Sequence, residues 1–465
     1  MANGKRIAVI GAGISGLSTA YWLVKSGFDV SVFERASRVG GTIITERQNG
    51  FLIDLGPNSA LETSNVLRDL IRELGIEGDK VYGNAISNNR YIVKGGQLCA
   101  LPMSPIKFLK SGLFSTRAKL RLLREPFIKP TNQRDLSLAD FVRRRLGDEF
   151  LDYAINPFVA GVYAGDPESL SAPAAFPKLY ALEQKHGSLI KGAIKGARER
   201  KKRGEVSKDR ARLFSFKSGM DAFTNALAER LGDRVFLNAE VKQIREEGLF
   251  SVELDIDGKA EQRQFEAVVL SVPTDAMSSI LKDLAPEEAR RISEINYPPV
   301  AVVFMAFREE DIARELDGFG FLIPKVENRE ILGSIWSSSI FPDRAPEGFA
   351  AFTTFVGGAR QPQNAELDDE RLGEIVYNDL NDLVGLRGQP IFVRIKRWPR
   401  AIPQYTMGYL EYQAMFDNLE NEFHGLFFAG NFRRGIGIGD SVLCAHETVQ
   451  KITERMGDGT RDTQP

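Results

Sequence analysis

The chain opens on two apolar, strand-length runs separated by a helical pattern. "RIAVI" is the first run, and "DVSVFE", which ends at Glu34, is the second. Between them, "LSTAYWLVKSG" places apolar residues at helical spacing and ends at Gly27, a residue suited to a helix C-terminus. Continuous apolar strands are typical of parallel sheets, which are covered on both faces. The pattern therefore predicts a β–α–β unit at the start of the chain.

The rest of the chain alternates between strand-rich and helix-rich stretches. Residues 82–103 predict a hairpin that turns at Gly95-Gly96, and residues 104–213 predict helices. "DRVFLNAEVKQIREEG" reads as a pair of strands, and "EAVVLSVP" as one more buried strand. After Tyr297, the apolar runs "AVVFMAF", "GFGFLIP", "ILGSIWSSS" and "FAAFTTFVGG" predict a sheet that shapes a cavity. Finally, "GLFFAGNFRRGIGIGDS" predicts a strand, a glycine-rich turn and a helix that begins near Asp440.

Composition narrows the class of protein. A chain of 465 residues that is 43% hydrophobic can bury a large core in two or more domains. Its net charge of -1 argues against a protein that coats nucleic acid, and the absence of a run of ~18 apolar residues argues against a membrane span. The few residues before the first strand leave no room for a leader peptide. Two cysteines (Cys99 and Cys444) and three unclustered histidines predict neither a disulfide framework nor a metal site. We therefore expect a soluble protein of a reducing compartment.

The glycines between the first strand and helix predict a phosphate-binding turn. Gly11, Gly13 and Gly16 form the pattern G-x-G-x-x-G. The first suits a tight turn, the second lets backbone approach a pyrophosphate, and the third lets the helix pack on the strand. The helix N-terminus offers free N–H groups to the phosphates, and Glu34 can accept hydrogen bonds from an adenosine ribose. The combination predicts a dinucleotide site.

Later glycines decide between a nicotinamide dinucleotide and FAD. Gly40-Gly41 follow the acidic residue, where a second backbone segment could close on the cofactor, and Gly56-Pro57 could turn the chain near a flavin. The turn after Ala429-Gly430-Asn431 aims another helix N-terminus at the cofactor, as needed to stabilise negative charge on a reduced isoalloxazine. Two such turns at opposite ends of the chain predict one extended cofactor, FAD.

A series of motifs makes the chain resemble the flavin amine oxidase superfamily and, within it, the porphyrinogen oxidases of haem synthesis. The motifs are "GAGISGLSTAY", "VGGTI", "LGPNS", "NNRYIVKGGQLCALP", "FVAGVYAGDPESLSAPAAFP", "EQKHGSLI", "DGFGFLIP", "FVGGAR", "IPQYTMGYLEY" and "FFAGNFRRGIGIGDS". The first three mark the superfamily. By contrast, "GVYAGDPESLS", "GFGFLIP" and "IPQY" separate these oxidases from monoamine oxidases and carotene desaturases.

The fold class that follows is α/β. A Rossmann-like, discontinuous FAD-binding domain is expected from residues 1–80, 214–295 and 400–465. A mixed α+β substrate-binding domain is expected from residues 81–103 and 296–399. Residues 104–213 are expected to form a helical, membrane-associated insertion.

The site residues are carried over position by position. Arg90 matches an arginine that pairs with a substrate propionate, a task suited to a guanidinium because it binds carboxylate bidentately; the alternative is a surface arginine on a hairpin. The predicted macrocycle walls are Phe319, Leu322 and Phe355, whose alternative role is ordinary core packing, and the small-residue segment beside the ring is Gly161 and Gly165. FAD, held non-covalently, is assigned to Gly11, Ala12, Gly13, Ile14, Ser15, Gly16, Glu34, Arg35, Gly40, Gly41, Thr42, Gly56, Pro57, Asn58, Ser59, Val241, Gly430, Ile436, Gly437 and Ile438.

The implied reaction removes hydrogen from a porphyrinogen three times, a six-electron oxidation towards an aromatic porphyrin. Flavin N5 takes the hydride, and O2 re-oxidises the flavin with release of hydrogen peroxide. The protein need supply only a dry slot and anchors for the propionates, so no catalytic side chain is assigned. The histidines His186, His424 and His446 form no convincing constellation and are expected to be structural.

Two segments of the helical stretch are strongly basic. One runs from Lys107 to Lys129, interleaved with apolar residues, and the other from Lys191 to Arg212. Basic charge beside an apolar face is what an interfacial membrane helix requires, whereas the alternative is a solvated helical face. The resemblance favours peripheral attachment to an anionic membrane, on the inner face of the cell membrane facing the cytoplasm. It leaves open a homodimer and transfer of product to the next haem-synthesis enzyme, and no nucleic-acid partner is expected.

Two other functions remain as alternatives. One is an FAD oxidase for an amine or a polyene; an amine oxidase should show an aromatic pair beside the flavin, and the sequence does not place one. The other is a flavin-binding scaffold in a haem-synthesis complex. Within the porphyrinogen oxidases, the sequence leaves open whether the substrate carries two propionates or four.

Overall fold

The structure is a computed structural model that describes residues 4–131, 133–203 and 211–457, without the side chains of 197–203. Much of the second basic segment, between Lys191 and Arg212, therefore lies outside the described side chains. The strands are β1 Arg6–Ile10, β2 Asp29–Phe33, β3 Thr45–Gln48, β4 Phe51–Asp54, β5 Ala60–Leu61, β6 Lys80–Tyr82, β7 Tyr91–Lys94, β8 Gln97–Ala100, β9 Leu213–Phe216, β10 Val235–Phe236, β11 Ala239–Glu247, β12 Leu249–Ile256, β13 Lys259–Phe265, β14 Ala267–Leu270, β15 Val300–Arg308, β16 Gly320–Leu322, β17 Ile331–Trp336, β18 Phe349–Gly357, β19 Phe392–Trp398 and β20 Leu426–Phe428.

Helices connect these strands and fill the middle of the chain. They are α1 Ile14–Lys25, α2 Asn65–Glu73, α3 Pro105–Lys110, α4 Thr116–Leu122, α5 Leu138–Arg145, α6 Asp148–Phe150, α7 Asn156–Tyr163, α8 Ala172–Ala175, α9 Pro177–His186, α10 Leu189–Arg203, α11 Asp221–Leu231, α12 Thr274–Leu281, α13 Pro286–Ser293, α14 Ser337–Ile340, α15 Asp369–Val384, α16 Tyr409–Glu422 and α17 Ile438–Met456. A π-helical turn, Leu151–Ile155, leads directly into α7.

A five-stranded parallel sheet forms the first layer, in the order β10-β2-β1-β14-β20. The predicted β–α–β unit is confirmed, because β1 pairs with β2 and α1 crosses between them. All but the first residue of β1 are buried, as expected for a strand between two layers of helices. Helices α1 and α17, from opposite ends of the chain, share the core on one side of this sheet.

The prediction of a strand pair in residues 233–248 is wrong. Strand β10 pairs with β2 in the parallel sheet, whereas β11 pairs with β12 in a separate three-stranded antiparallel sheet. Asn238 lies between them with a positive φ of 51°, so the chain turns there from one sheet into the other. Sequence periodicity identifies two neighbouring strands but does not show whether they pair with each other.

The second large sheet has seven strands in the order β19-β15-β18-β17-β16-β7-β8. The predicted hairpin at Gly95-Gly96 is confirmed as β7 and β8, and it joins the strands after Tyr297. One face of the sheet packs against α15 through a core that includes Phe321, Val303 and Leu372. The other face, which includes Leu322 and Phe355, turns towards α7.

Residues 104–203 form the predicted helical region, and a buried ionic network holds it together. The Arg145 guanidinium is fully buried between the carboxylates of Glu125 and Glu183, which are also fully buried. Glu183 further accepts hydrogen bonds from Arg144 and from the Thr131 N–H, and Glu125 from the Leu189 N–H. Because each of these polar groups has several partners, the cost of burying the network is offset by its hydrogen bonds and ion pairs.

Within the described ranges, no helix has both the length and the apolar character needed to cross a bilayer.

Candidate functional site

The parallel sheet brings the predicted cofactor segments to one edge. Strands β1, β2, β14 and β20 run in the same direction, so the turns that follow them lie side by side. These turns contain Gly11–Gly16, Glu34, Ser271 and Ala429-Gly430 respectively. Ligands of open parallel sheets bind outside this carboxyl edge.

The three glycines of the first turn have three different environments. A methyl group on Gly11 would lie 2.5 Å from the Ser271 carbonyl oxygen, and one on Gly16 would lie 1.9 Å from the Gly11 carbonyl oxygen. Gly11 also has a φ of 102°, which favours glycine. A methyl group on Gly13, in contrast, would meet nothing within 4 Å. Gly11 and Gly16 are thus needed for the turn itself, while Gly13 faces the open space that a pyrophosphate requires.

The second glycine pair packs against this turn. The Gly40 N–H donates to the Ala12 carbonyl oxygen at 2.8 Å, and a methyl group on Gly41 would lie 3.4 Å from the Gly13 Cα. Gly41 and Thr42 remain exposed. A methyl group on Gly56 would lie 1.9 Å from the Thr42 carbonyl oxygen, so the Gly56-Pro57 turn adjoins the same segment. Asn58 and Ser59 follow on this turn, joined by a hydrogen bond of 2.9 Å.

Glu34 binds backbone on both sides of the turn. Its carboxylate accepts hydrogen bonds from the Ala12 N–H at 2.8 Å and the Ala36 N–H at 2.9 Å. Each carboxylate oxygen has a further lone pair for a ligand hydroxyl. Arg35 is exposed, and the buried Val241 lies on β11, whose first residue donates to the Glu34 carbonyl oxygen. The structure therefore places Val241 at the Glu34 end of the edge.

The C-terminal turn follows β20, at the same carboxyl edge of the sheet as the first turn. Gly430, Ile436 and Gly437 lie between β20 and α17, and Ile438 is the first residue of α17. The Tyr405 hydroxyl donates to the Asn431 carbonyl oxygen, and the Tyr409 hydroxyl donates to the Phe432 carbonyl oxygen at 2.7 Å. Burial raises the pKa of both tyrosines well above the usual value, so they stay neutral donors. Sequence reasoning missed these two contacts, and only the motif "IPQY" pointed to the segment.

This edge fits FAD. Gly13 is the N-cap of α1, and α17 begins after β20 at the same edge of the sheet; helix N-termini favour negative charge. The buried Ser271 hydroxyl, next to Gly16, has no hydrogen-bond partner among the described residues. Sequence reasoning also missed Ser271, although its position directly after a buried strand is a signal for this edge.

A row of side chains crosses the open face of the seven-stranded sheet. Leu322 on β16 is the register partner of Gly333 on β17, which is in turn the partner of Phe355 on β18. Phe355 is half-buried, although the five residues before it on β18 are buried. Gly333 has no side chain between the two, and a methyl group there would lie 2.9 Å from Leu322 Cδ2. The row therefore places Leu322, Gly333 and Phe355 side by side on one face of the sheet, with the two apolar side chains only partly buried.

Helix α7 covers this surface. A methyl group on Gly161 would lie 2.2 Å from Leu322 Cδ2, so the helix backbone directly contacts the row. Gly165 is placed differently: a methyl group there would lie 2.6 Å from Gln404 Oε1. The structure thus brings Gly161 to the predicted surface, whereas Gly165 packs against the buried Gln404.

Arg90 lies at the start of β7, beside this row. Its guanidinium carbon is 5.4 Å from the centre of the Phe319 ring. Arg90 is exposed to solvent, although the surrounding protein partly desolvates the guanidinium and lowers its pKa. No carboxylate pairs with it in the described part of the chain. Lys94, on the same face of β7, is already bound to Glu149 and to the Leu113 carbonyl oxygen.

The site has two halves, the carboxyl edge of the parallel sheet and the row on the seven-stranded sheet, and hydrogen bonds connect the segments that carry them. Trp398 on β19 donates its indole N–H to the Leu55 carbonyl oxygen at 2.8 Å, directly before Gly56. Arg394 on the same strand forms two hydrogen bonds to Glu46 on β3. His446 lies outside this region and packs edge-on against Trp22 at 4.9 Å, in accordance with a structural role.

The chain is similar to known proteins over almost its whole length. The family model for flavin containing amine oxidoreductase matches residues 14–453. The mitochondrial protoporphyrinogen oxidase of Nicotiana tabacum is 36% identical, over 95% of this chain and 93% of its own length. Coproporphyrinogen III oxidase of Bacillus subtilis (strain 168) is 28% identical, over 95% and 97%. A solved protein of Exiguobacterium sp. 255-15 with a provisional protoporphyrinogen oxidase name superposes with a TM-score of 0.80 at 25% identity, over 98% and 100%.

Proposed function

Because the chain belongs to the flavin containing amine oxidoreductase family, we propose that it oxidises a porphyrinogen in haem biosynthesis. FAD is its cofactor, and O2 is the electron acceptor. The observation that carries the proposal is the row Leu322–Gly333–Phe355, covered by α7 and flanked by the unpaired Arg90. A flat apolar tetrapyrrole with carboxylate side chains matches that combination.

The residues of the chain would bind and orient the substrate. FAD, when bound, supplies the hydride acceptor. The row would form one wall for the macrocycle and exclude water, α7 would hold Leu322 in place in that wall, and Arg90 would fix the rotation of the macrocycle through a propionate. Such positioning can contribute several kcal/mol to catalysis without a side-chain acid or base.

The geometry around Arg90 favours a substrate with two propionates. A four-propionate substrate would bring further carboxylates to this face of the sheet, but the next cation along β7, Lys94, lies four residues from Arg90 and is bound to Glu149. A propionate left without a cation there would lose the roughly 1.5–3 kcal/mol of a charge-assisted hydrogen bond. The identities of 36% with a protoporphyrinogen oxidase and 28% with a coproporphyrinogen III oxidase point the same way. The proposed substrate is therefore protoporphyrinogen IX.

A rate comparison on purified holoenzyme tests this assignment. We expect porphyrin fluorescence and peroxide to rise together, with kcat/KM at least about tenfold higher for protoporphyrinogen IX than for coproporphyrinogen III. The reverse ratio would contradict the two-propionate assignment. Holoenzyme that oxidises neither compound would contradict the function itself and favour a scaffold.

Arg90→Ala tests the anchor. Loss of a charge-assisted, bidentate contact costs about 1.5–3 kcal/mol, so the apparent KM should rise about ten- to hundredfold while the FAD content is unchanged. Arg308→Ala is the matched control, because Arg308 is an exposed arginine at the far end of β15. An unchanged KM in Arg90→Ala would remove Arg90 from the anchor role.

An amine substrate is the alternative within the same family. The stacked rings of Tyr405 and Tyr409 do not form an open aromatic pair for an amine, because both side chains are buried in the core. Amine-dependent peroxide release by the holoenzyme, without oxidation of a porphyrinogen, would favour that alternative over the proposal.

We further propose that α3 and α4 attach the protein to an anionic membrane surface. Ile106 and Leu109 on α3, and Leu123 and Phe127 in the segment directly after α4, are exposed apolar residues that are 68–84% accessible. Basic residues of the segment Lys107 to Lys129 surround them, and each contributes about 1 kcal/mol near anionic lipid. The proposal extends to release of product at the bilayer for the next haem-synthesis enzyme, and it leaves a homodimer open.

Vesicle binding tests the membrane proposal. Leu123→Ser with Phe127→Ser should weaken binding to anionic vesicles at least about tenfold, since each side chain loses part of about 1.5–3 kcal/mol of burial. Ile391→Ser is the control, because Ile391 is 46% exposed on another surface. Equal binding by both variants would exclude this patch as the lipid contact.

A further inference from the structure

Residues 402–409, here called the connector, contact both halves of the site. The connector contains the motif "IPQY", to which the proposed reaction assigns no role. At one end Gln404 contacts the end of α7, and at the other end Tyr405 and Tyr409 contact the C-terminal turn.

The contact with α7 depends on one buried amide. Gln404 is 1% exposed, and its Nε2 donates to the Tyr163 carbonyl oxygen at 2.8 Å and to the Ile402 carbonyl oxygen at 3.0 Å. These two acceptors determine which way the amide points, so Oε1 faces Gly165. Gly165 is the second residue after α7 ends at Tyr163. The amide therefore sets how closely the end of α7 approaches the connector.

A hydrogen bond from the segment after β18 of the seven-stranded sheet also fixes the end of α7. Ala164 has a left-handed backbone, with φ of 48°, and its carbonyl oxygen accepts a hydrogen bond from the Ala359 N–H at 2.7 Å. The position of Gly161 against Leu322 follows from this arrangement, because Gly161 lies within the same short helix.

The other end of the connector reaches the FAD edge. The Tyr405 and Tyr409 hydroxyls bind the carbonyl oxygens of Asn431 and Phe432, which directly follow Gly430. The connector backbone is anchored by Asp135, which accepts from the Gly408 N–H at 2.6 Å and from the Ser171 hydroxyl. A rigid path thus runs from α7 to the turn beside the cofactor.

We propose that Gln404 is a positioning residue: it sets the distance between α7 and the FAD edge, and thereby the distance between the bound substrate and that edge. The inference rests on the proposed function, because it assigns α7 to the substrate. Hydride transfer needs reacting atoms about 3–3.5 Å apart, and a displacement of about 1 Å can lower the rate about a hundredfold. The connector is the path through which such a displacement would pass.

Gly165→Ala provides the perturbation. Gly165 does not have a positive φ, so its backbone conformation tolerates alanine. An alanine side chain there would be strained only by the atoms packed against it. The new methyl would lie 2.6 Å from Gln404 Oε1, whereas a carbon–oxygen contact needs about 3.3–3.6 Å. The difference, about 0.7–1 Å, must be taken up by α7 or by Gln404.

The assay is single-turnover reduction of bound FAD by protoporphyrinogen without oxygen, followed by the flavin's visible absorption. Gly165→Ala and Gln404→Met, which removes both hydrogen bonds at similar volume, should each slow reduction at saturating substrate about ten- to hundredfold. FAD content and re-oxidation of chemically reduced enzyme by O2 should match the parent. Gly373→Ala is the matched control, because a methyl group there meets nothing within 4 Å.

A double variant separates positioning from general damage. In Gln404→Ala with Gly165→Ala the new methyl meets no amide, so the rate should equal that of Gln404→Ala within about twofold. Three results would each overturn the inference: rate losses of the two single variants that multiply in the double variant, reduction rates of the single variants equal to that of the parent, or a loss of bound FAD in proportion to the loss of rate. If no porphyrinogen reduces the parent flavin, the proposed function fails and the inference with it; fast reduction by every variant refutes the inference alone.

Discussion

Gly161→Ala is the most direct test of the substrate surface, because it adds one methyl group where α7 meets the row. The methyl would lie 2.2 Å from Leu322 Cδ2 and 3.3 Å from Leu322 Cδ1 and Cγ. Carbon atoms in contact lie about 3.5–4.0 Å apart, so Leu322 Cδ2 must move by about 1.3–1.8 Å. Leu322 is only partly buried, and its open side is the proposed slot. We therefore expect the side chain to move into the space assigned to the macrocycle.

The stability change should be small while the kinetic change is large. Alanine favours a helix by about 1 kcal/mol over glycine, and overpacking costs about 1–3 kcal/mol, so the net loss should be about 0–2 kcal/mol. Loss of slot volume should raise the apparent KM for the porphyrinogen about tenfold or more, equivalent to about 1.4 kcal/mol, with FAD content unchanged.

Steady-state kinetics on Gly161→Ala, alone and with Leu322→Val, provide the measurement. Valine lacks the two δ-carbons, so the double variant should recover most of the KM. A parental KM in Gly161→Ala, or no recovery with Leu322→Val, would refute the contact between α7 and the row as the wall of the slot.

Two further predictions concern the stability of the fold. Glu183→Gln should lower the free energy of unfolding by about 3–5 kcal/mol, because it leaves the fully buried Arg145 short of a counter-charge. The control is Glu374→Gln, in an exposed pair with Arg371, which should change the free energy of unfolding by no more than about 0.5 kcal/mol. Both values are measured by urea titration, and similar losses in the two variants would contradict the buried network. Hydrogen bonds from Arg394 lower the pKa of Glu46 below its usual value of 4.5, so its contribution is present above that value and is lost as pH falls through the lowered pKa. Both side chains are about one-third exposed, so Glu46→Gln should differ from the parent by under about 1 kcal/mol at neutral pH and by nothing in stronger acid; a difference that grows on acidification would contradict the assignment.

The cofactor edge could be predicted largely from local sequence. A methyl group at Gly11, Gly16 or Gly56 would collide with backbone within 2.5 Å, so these turns require glycine wherever they occur. Such requirements appear as short spacings that can be read along the chain. The strand pair in residues 233–248 could not be predicted correctly, because β10 is only two residues long and its partner, β2, lies some two hundred positions earlier.

The candidate substrate site could be predicted only in part. The resemblance pointed to Leu322, Phe355 and Gly161, but not to the contacts among them. Their common row depends on the register of β16, β17 and β18, and the role of Gly165 depends on Gln404, far away in sequence. The engagement of Lys94 by Glu149, which favours a two-propionate substrate, also has no local signature.

By itself, therefore, the sequence determined the first β–α–β unit, the glycine turns and the choice of FAD, because these depend on residues close together in the chain. Only the tertiary structure decided how the distant strands join into one sheet, which side chains face α7, that Arg90 has no carboxylate partner among the described residues, and how Gln404 connects α7 to the C-terminal turn. The physical reason is that sheet register and buried hydrogen bonds join distant segments, and their energy depends on atoms that meet only after folding.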